Sequence, residues 1–116
     1  LRECALPDQR IVFHCFSGDA QMADVLAENG WYASFAGPIS YPANEDLRQA
    51  FAVLPPELVL VETDAPYLTP LPWRGCPNAS YVMAYTVRFI AELWGISEQF
   101  ACERLMENTE RVYGSW

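Results

Sequence analysis

The chain has 116 residues, 52% of them hydrophobic, and a formal charge of −8 with seven Arg and no Lys. That length bounds it to one domain with a modest core. The acidic balance excludes general electrostatic attraction to nucleic acid, so a phosphate-bearing partner would need a metal ion or a local arginine.

The chain opens at Leu1 in what reads as the tail of a helix. With the high apolar fraction, this predicts a piece cut from a larger core. Arg10 to Phe16 is a dense apolar run, read as a buried strand. Ser17-Gly18-Asp19 makes a turn and a helix start. Met22, Val25 and Leu26 recur at helical spacing as far as Asn29-Gly30, a C-terminal cap. Trp31 to Ala36 is the second strand, closed by Gly37-Pro38. Asn44 caps a second helix with the apolar stripe Leu47, Ala50, Phe51 and Leu54, and Pro55-Pro56 stops it. Leu58 to Thr63 is the third strand.

Residues 64 to 79 form a long proline-rich loop, of a length that tends to be functional inside a domain. A third helix places Val82, Phe89, Ile90 and Leu93 on one side, with Gly95 past its end. Ser97 opens a fourth helix towards Asn108, and a short Val112-Tyr113 segment ends the chain. Alternating strands and helices mean parallel strands joined by crossovers, hence an α/β fold. Three strands do not complete such a sheet: both edges stay open, and both faces need cover.

Cysteines at 4, 15, 76 and 102 fit neither a zinc ribbon, a CxxC pair nor a secreted disulfide framework. A reducing, cytoplasmic setting is expected. No stretch reads as a signal peptide and no apolar run is long enough for a membrane span, so neither is expected in these residues.

Chemistry concentrates where two strands meet their loops, the edge on which parallel α/β folds build active sites. Side chains alternate along a strand. Val12, His14 and Phe16 are therefore expected on one face of the first strand, and Leu60, Glu62 and Asp64 on one face of the third. If these faces share an interior, an imidazole and two carboxylates converge, a donor set suited to Zn, Mn or Mg. The alternatives are a structural lone histidine, Asp64 capping its turn, and Glu62 paired with an arginine such as Arg74. Arg74 with Gly75 and Asn78 suits phosphate contact or is a surface arginine in a loop. Tyr67 and Trp73 either stack on a base or sugar, or pack the loop down, and packing is favoured. Cys15 on an extended strand points away from His14 and lacks an activating base.

These strings resemble the C-terminal half of the TatD-related metal-dependent deoxyribonucleases, amidohydrolase-like TIM barrels. The likeness runs end to end. It takes in His14-Cys15-Phe16-Ser17-Gly18, the segment from Trp31 to Gly37, Leu60-Val61-Glu62-Thr63-Asp64-Ala65-Pro66-Tyr67-Leu68, Arg74-Gly75 with Asn78, and Glu107-Asn108-Thr109 leading to Val112-Tyr113-Gly114. The resemblance implies a partial (β/α)8 barrel, with residues 1–116 forming its C-terminal portion and about its last three parallel strands. It implies His14 as a metal ligand on the sixth strand. Asp64 would be a metal ligand and the catalytic base on the eighth, with Glu62 behind them. Arg74, Asn78 and Tyr67 are the substrate-binding candidates.

The implied function is divalent-metal-dependent hydrolysis of DNA phosphodiesters, on single strands or ends and from an end inwards, with a metal-activated water as nucleophile. The family's amino-terminal His-x-His motif and further middle-strand ligands are missing, so the chain alone is expected to bind metal weakly and to be inactive. Its partners would be DNA and either the complementary half-barrel or a second copy of itself. The alternatives are an ester hydrolase that removes D-amino acids from tRNA, and a non-catalytic half-barrel that folds by docking.

Overall fold

The computed structural model describes residues 10–114, so the helix tail expected near Leu1 lies outside the described residues. The apolar runs form three short strands, β1 Val12–Phe13, β2 Tyr32–Phe35 and β3 Val59–Val61. They are parallel in the order β1-β2-β3. Val12 stands beside Tyr32, Ala33 beside Val59 and Phe35 beside Val61.

Alternation sends successive side chains to two clusters. On one face Ala33, Phe35 and Val59 are fully buried and join Leu26, Ile39, Phe51 and Ile90 in the main core. Phe35 meets Phe16 and Phe51 edge-on, with ring centroids 5.7 and 5.3 Å apart. Burial of one such side chain contributes about 2–3 kcal/mol. On the other face Tyr32, Leu58 and Leu60 cluster with Val112, and Val12 packs against them.

Helix α1 spans Ala20–Asn29. The Asp19 carboxylate accepts the Met22 N–H at its start, and Gly30 ends it at φ 68°. Helix α2 spans Glu45–Val53 and buries the expected stripe of Leu47, Ala50 and Phe51, continued by Leu54. The Asn44 side chain does not cap it; the amide reaches back to donate to Pro38 O at 3.0 Å. Helix α3, Met83–Trp94, buries Thr86, Val87, Ile90 and Ala91, while Leu93 is exposed, one position off the expected stripe. In α1 Met22 likewise turns outward, and Ala23 with Leu26 faces the core.

Helix α4 runs from Glu98 to Tyr113, so Val112 and Tyr113 are its last turn and not a separate segment. It packs along β3. There Asn108, 1% exposed, donates both amide hydrogens, to Pro56 O and Val59 O, each at 2.8 Å. Its oxygen accepts from Arg111 Nη1 at 3.2 Å. The edge of β3 that has no neighbouring strand among the described residues is thereby satisfied at its start.

Two strand ends differ from expectation for one reason. Cys15 at φ 48° and Asp64 at φ 55° leave the extended region for the left-handed one, which breaks the period-two alternation. The first ladder therefore stops at Phe13 and the third at Val61. Phe16 does not share the face of Val12 and His14; it turns into the main core. Asp64 stands exposed in the loop beyond Glu62 and does not continue its face.

Candidate functional site

The ends of β1 and β3 lie at one level because β2 ties them. The Phe16 N–H donates to Ser34 O at 2.8 Å and the Glu62 N–H to Phe35 O at 2.9 Å. This puts His14 and Glu62 side by side, with Nδ1 and Oε2 2.8 Å apart. The Cys15 N–H, turned inward by the left-handed backbone, donates to the same oxygen at 3.1 Å. The Glu62 side chain is 14% exposed and that of His14 72%. The other carboxylate oxygen, Oε1, is buried and has no hydrogen-bond partner among the described residues. Such an atom is costly to leave unpaired and calls for an explanation. Val12, Ser34, Leu60, Thr109 and Tyr113 complete a cleft of about 290 Å³ around the pair.

Cys15 follows His14 but is not extended. Burial pushes its thiol up from the ordinary range, and the negative charges of Glu62 and then Asp64 push it the same way. A thiol so held is protonated near neutral pH, which removes it as a nucleophile on electrostatic grounds.

The loop from 64 to 79 is built on Asn78, which is 6% exposed. Its amide donates to Thr63 O at 2.7 Å and Tyr67 O at 2.8 Å, and its oxygen accepts the Ala79 N–H at 2.9 Å. The Asn78 N–H donates to Pro66 O. Its side-chain amide and backbone N–H thus hold the loop, a role invisible in the sequence because the amide's partners lie 11 and 15 residues away. The turn after β2 supports the other side. Ser40 Oγ donates to Gly37 O and accepts the Leu71 N–H, and the Tyr41 hydroxyl donates to Thr69 O at 2.7 Å. At Gly37 a Cβ would collide with the Leu68 carbonyl oxygen and lie 2.7 Å from Pro70 N, so only glycine allows the approach.

Of the residues singled out in the sequence, the structure brings His14 and Glu62 into contact. Glu62 is not paired with Arg74, whose guanidinium instead lies 3.8 Å from the centre of the Tyr41 ring. Tyr67 is 71% exposed and does not pack the loop down; Trp73, 46% exposed, meets Tyr85 edge-on. The part played by Ser34 was missed, and period-two spacing from Tyr32 is the signal that could have found it.

An imidazole against a carboxylate that keeps one oxygen without a partner among the described residues suits a divalent cation chemically. The count falls short, since among the described residues no group of three or more His, Cys, Asp or Glu side chains is placed to hold one. These residues fit one side of a metal site.

The profile of the family described as TatD related DNase matches residues 1–114. A Mycobacterium tuberculosis protein named "Uncharacterized metal-dependent hydrolase TatD" is 43% identical over 114 residues, covering 98% of this chain and 43% of its own length. The Escherichia coli protein YcfH, given the same description, is 34% identical over 113 residues, 97% of this chain and 43% of YcfH. The crystal structure of the E. coli TatD homologue YjjV superposes with a TM-score of 0.81 at 30% identity, over 90% of this chain and 40% of that one. A TatD family hydrolase from Entamoeba histolytica, 16% identical with a TM-score of 0.76, shares the fold. The chain spans about 43% of the length of the curated relatives it matches. Its three parallel strands and their helices correspond to that share of the family's TIM barrel. The chain belongs to the TatD-related DNase family.

Proposed function

We propose that this chain supplies the His14–Glu62–Asp64 edge of a metal-dependent phosphodiesterase acting on DNA. The remaining ligands would come from the part of the family's barrel that the chain does not span. The observation that carries this reading is the His14–Glu62 pair, an exposed imidazole against a largely buried carboxylate. One Glu62 oxygen sits 2.8 Å from His14 Nδ1, and the other has no partner among the described residues.

A carboxylate on Nδ1 favours the tautomer whose lone pair is on Nε2, the arrangement found behind metal-ligating histidines. His14 and Asp64 would hold the ion. A divalent cation of the Mg, Mn or Zn class supplies, when bound, positive charge against the phosphodiester and a lowered pKa for water. Asp64, exposed at the rim and beyond the grip of the β3 ladder, receives the proton of the attacking water on a carboxylate oxygen. Glu62 keeps the imidazole in place. With a net charge of −8, the chain relies on the cation and on local arginines to accept a polyanion.

The test is a chimaera in which residues 1–114 replace the matching segment of the M. tuberculosis relative. It should cleave single-stranded DNA when Mg or Mn is added. His14→Ala and Asp64→Asn should each lower kcat by about 100-fold or more. Cleavage that survives both substitutions would overturn the assignment. Release of amino acids from charged tRNA with DNA left intact would move the chemistry to ester hydrolysis.

A further inference from the structure

Most buried polar side chains among the described residues find partners. Ser40, Thr69, Asn78 and Asn108 are each bonded through their side chains. Ser34 differs. It is 5% exposed, and its hydroxyl has no hydrogen bond among the described residues. Thr86 likewise has none, but it sits on the buried face of α3 and does not line the cleft around Glu62. Ser34 does line it.

Its backbone is fixed from both sides. Ser34 lies on β2, the middle strand, beside Leu60 of β3, and its carbonyl accepts the Phe16 N–H at 2.8 Å. Alternation puts its side chain on the face of Tyr32, away from Ala33 and Phe35 in the main core. Glu62 follows Leu60 by two residues, at the end of β3. The Ser34 hydroxyl and Glu62 Oε1 are therefore two polar groups without partners among the described residues in the lining of one cleft.

Their chemistry is complementary. A hydroxyl donates one hydrogen bond and accepts two, whereas a carboxylate oxygen only accepts. No direct bond joins them. One water spans such a pair, accepting from the hydroxyl and donating to Oε1, and a polar recess of about 290 Å³ has room for it. Oε2 is already held by His14 Nδ1 and the Cys15 N–H. A carboxylate held at one oxygen can still turn about it; held at both, it cannot. We infer that Ser34 is a positioning residue for the metal site: through a water bound between its hydroxyl and Glu62 Oε1, it fixes the carboxylate that sets the tautomer and direction of His14. The role rests on the metal-dependent reading of His14 and carries it onto β2.

The experiment measures metal affinity without DNA. Mn is titrated into the chimaera, and free Mn is followed by electron paramagnetic resonance. Ser34→Ala should raise the Mn dissociation constant about tenfold, the low end of what losing a group behind a metal ligand costs. Ser34→Thr keeps the hydroxyl and should stay within about twofold of the parent. In a Glu62→Ala background there is no carboxylate to hold, so Ser34→Ala should add less than about twofold. A second readout needs no metal. The full chain has a single histidine, so its ¹⁵N imidazole signals belong to His14. At about pH 9, where an imidazole is neutral, the parent and Ser34→Thr should keep the proton on Nδ1 to a greater extent than Ser34→Ala.

Parent-like Mn affinity in Ser34→Ala overturns the positioning role, as does a Ser34→Thr variant as weak as Ser34→Ala. A tenfold loss that persists in the Glu62→Ala background, or one that leaves the His14 tautomer unchanged, overturns the route through Glu62. A parent chimaera that binds no Mn overturns the metal site and this role with it. Otherwise the two readings fail separately. DNA cleavage with a Mn affinity indifferent to Ser34 leaves the phosphodiesterase and removes the positioning role, whereas a Mn affinity that follows Ser34 without cleavage does the reverse.

Discussion

The two ends of β3 are built on opposite terms. At its start, Asn108 from α4 is buried with both amide hydrogens and its oxygen engaged, and Leu58, Leu60 and Val112 close around the strand. At its finish, Glu62 is largely buried with one oxygen engaged and the other without a partner among the described residues, His14 lies largely in solvent, and the backbone turns left-handed at Asp64. The sealed end holds the structure together. The open end keeps a polar atom waiting, which native proteins tolerate where a ligand or ion completes the set.

The contrast is easiest to break at Asn108. Asn108→Ala strips two buried carbonyls of their donors and should cost about 3 kcal/mol in urea unfolding of the chimaera; a loss under about 1 kcal/mol would show that the start of β3 is not sealed by this side chain. Gly37→Ala drives a methyl group into the Leu68 carbonyl and should cost about 2 kcal/mol. Increased proteolysis within 64–79 should accompany it, and a loop that stays protease-resistant would contradict the close approach. Tyr41→Phe removes the hydrogen bond to Thr69 O while keeping the ring under Arg74. It should cost about 1.5 kcal/mol by the same measurement. Smallest is Glu62→Gln, which gives up a charged acceptor but also a buried, half-paired charge. Stability should change by less than about 1 kcal/mol, and a large loss would place Glu62 with Asn108 among the residues that hold the fold.

Helices were the most legible part of the sequence because their signals are local. Asp19, Gly30, Gly95 and Ser97 all mark helix ends where short-range rules put them, and the stripe on α2 needs nothing beyond its period. The strand ends were overextended because Cys15 and Asp64 adopt a backbone that single residues other than glycine rarely signal. The stripe on α3 was misassigned at Leu93 because a periodic face can rotate by one position against its neighbours. At the site, His14, Glu62 and Asp64 stood out as chemistry at strand ends expected to share a rim, and of these His14 and Glu62 meet, 48 residues apart in the chain. The alternative, a pair between Glu62 and Arg74, does not form. Asn78 and Asn108 hold the loop and the strand edge through carbonyls brought near only by the fold, which no local pattern encodes.

Gly37 carries a consequence for anyone redesigning the molecule. With no side chain there, the turn after β2 and the segment around Leu68–Pro70 touch backbone to backbone, and Ser40 and Tyr41 lock the contact. The two segments, more than 25 residues apart in the chain, form a single transplantable cassette. A loop swap that moves one without the other would bring a foreign outline against a surface moulded to its absent companion, so new specificities are best grafted as the matched pair.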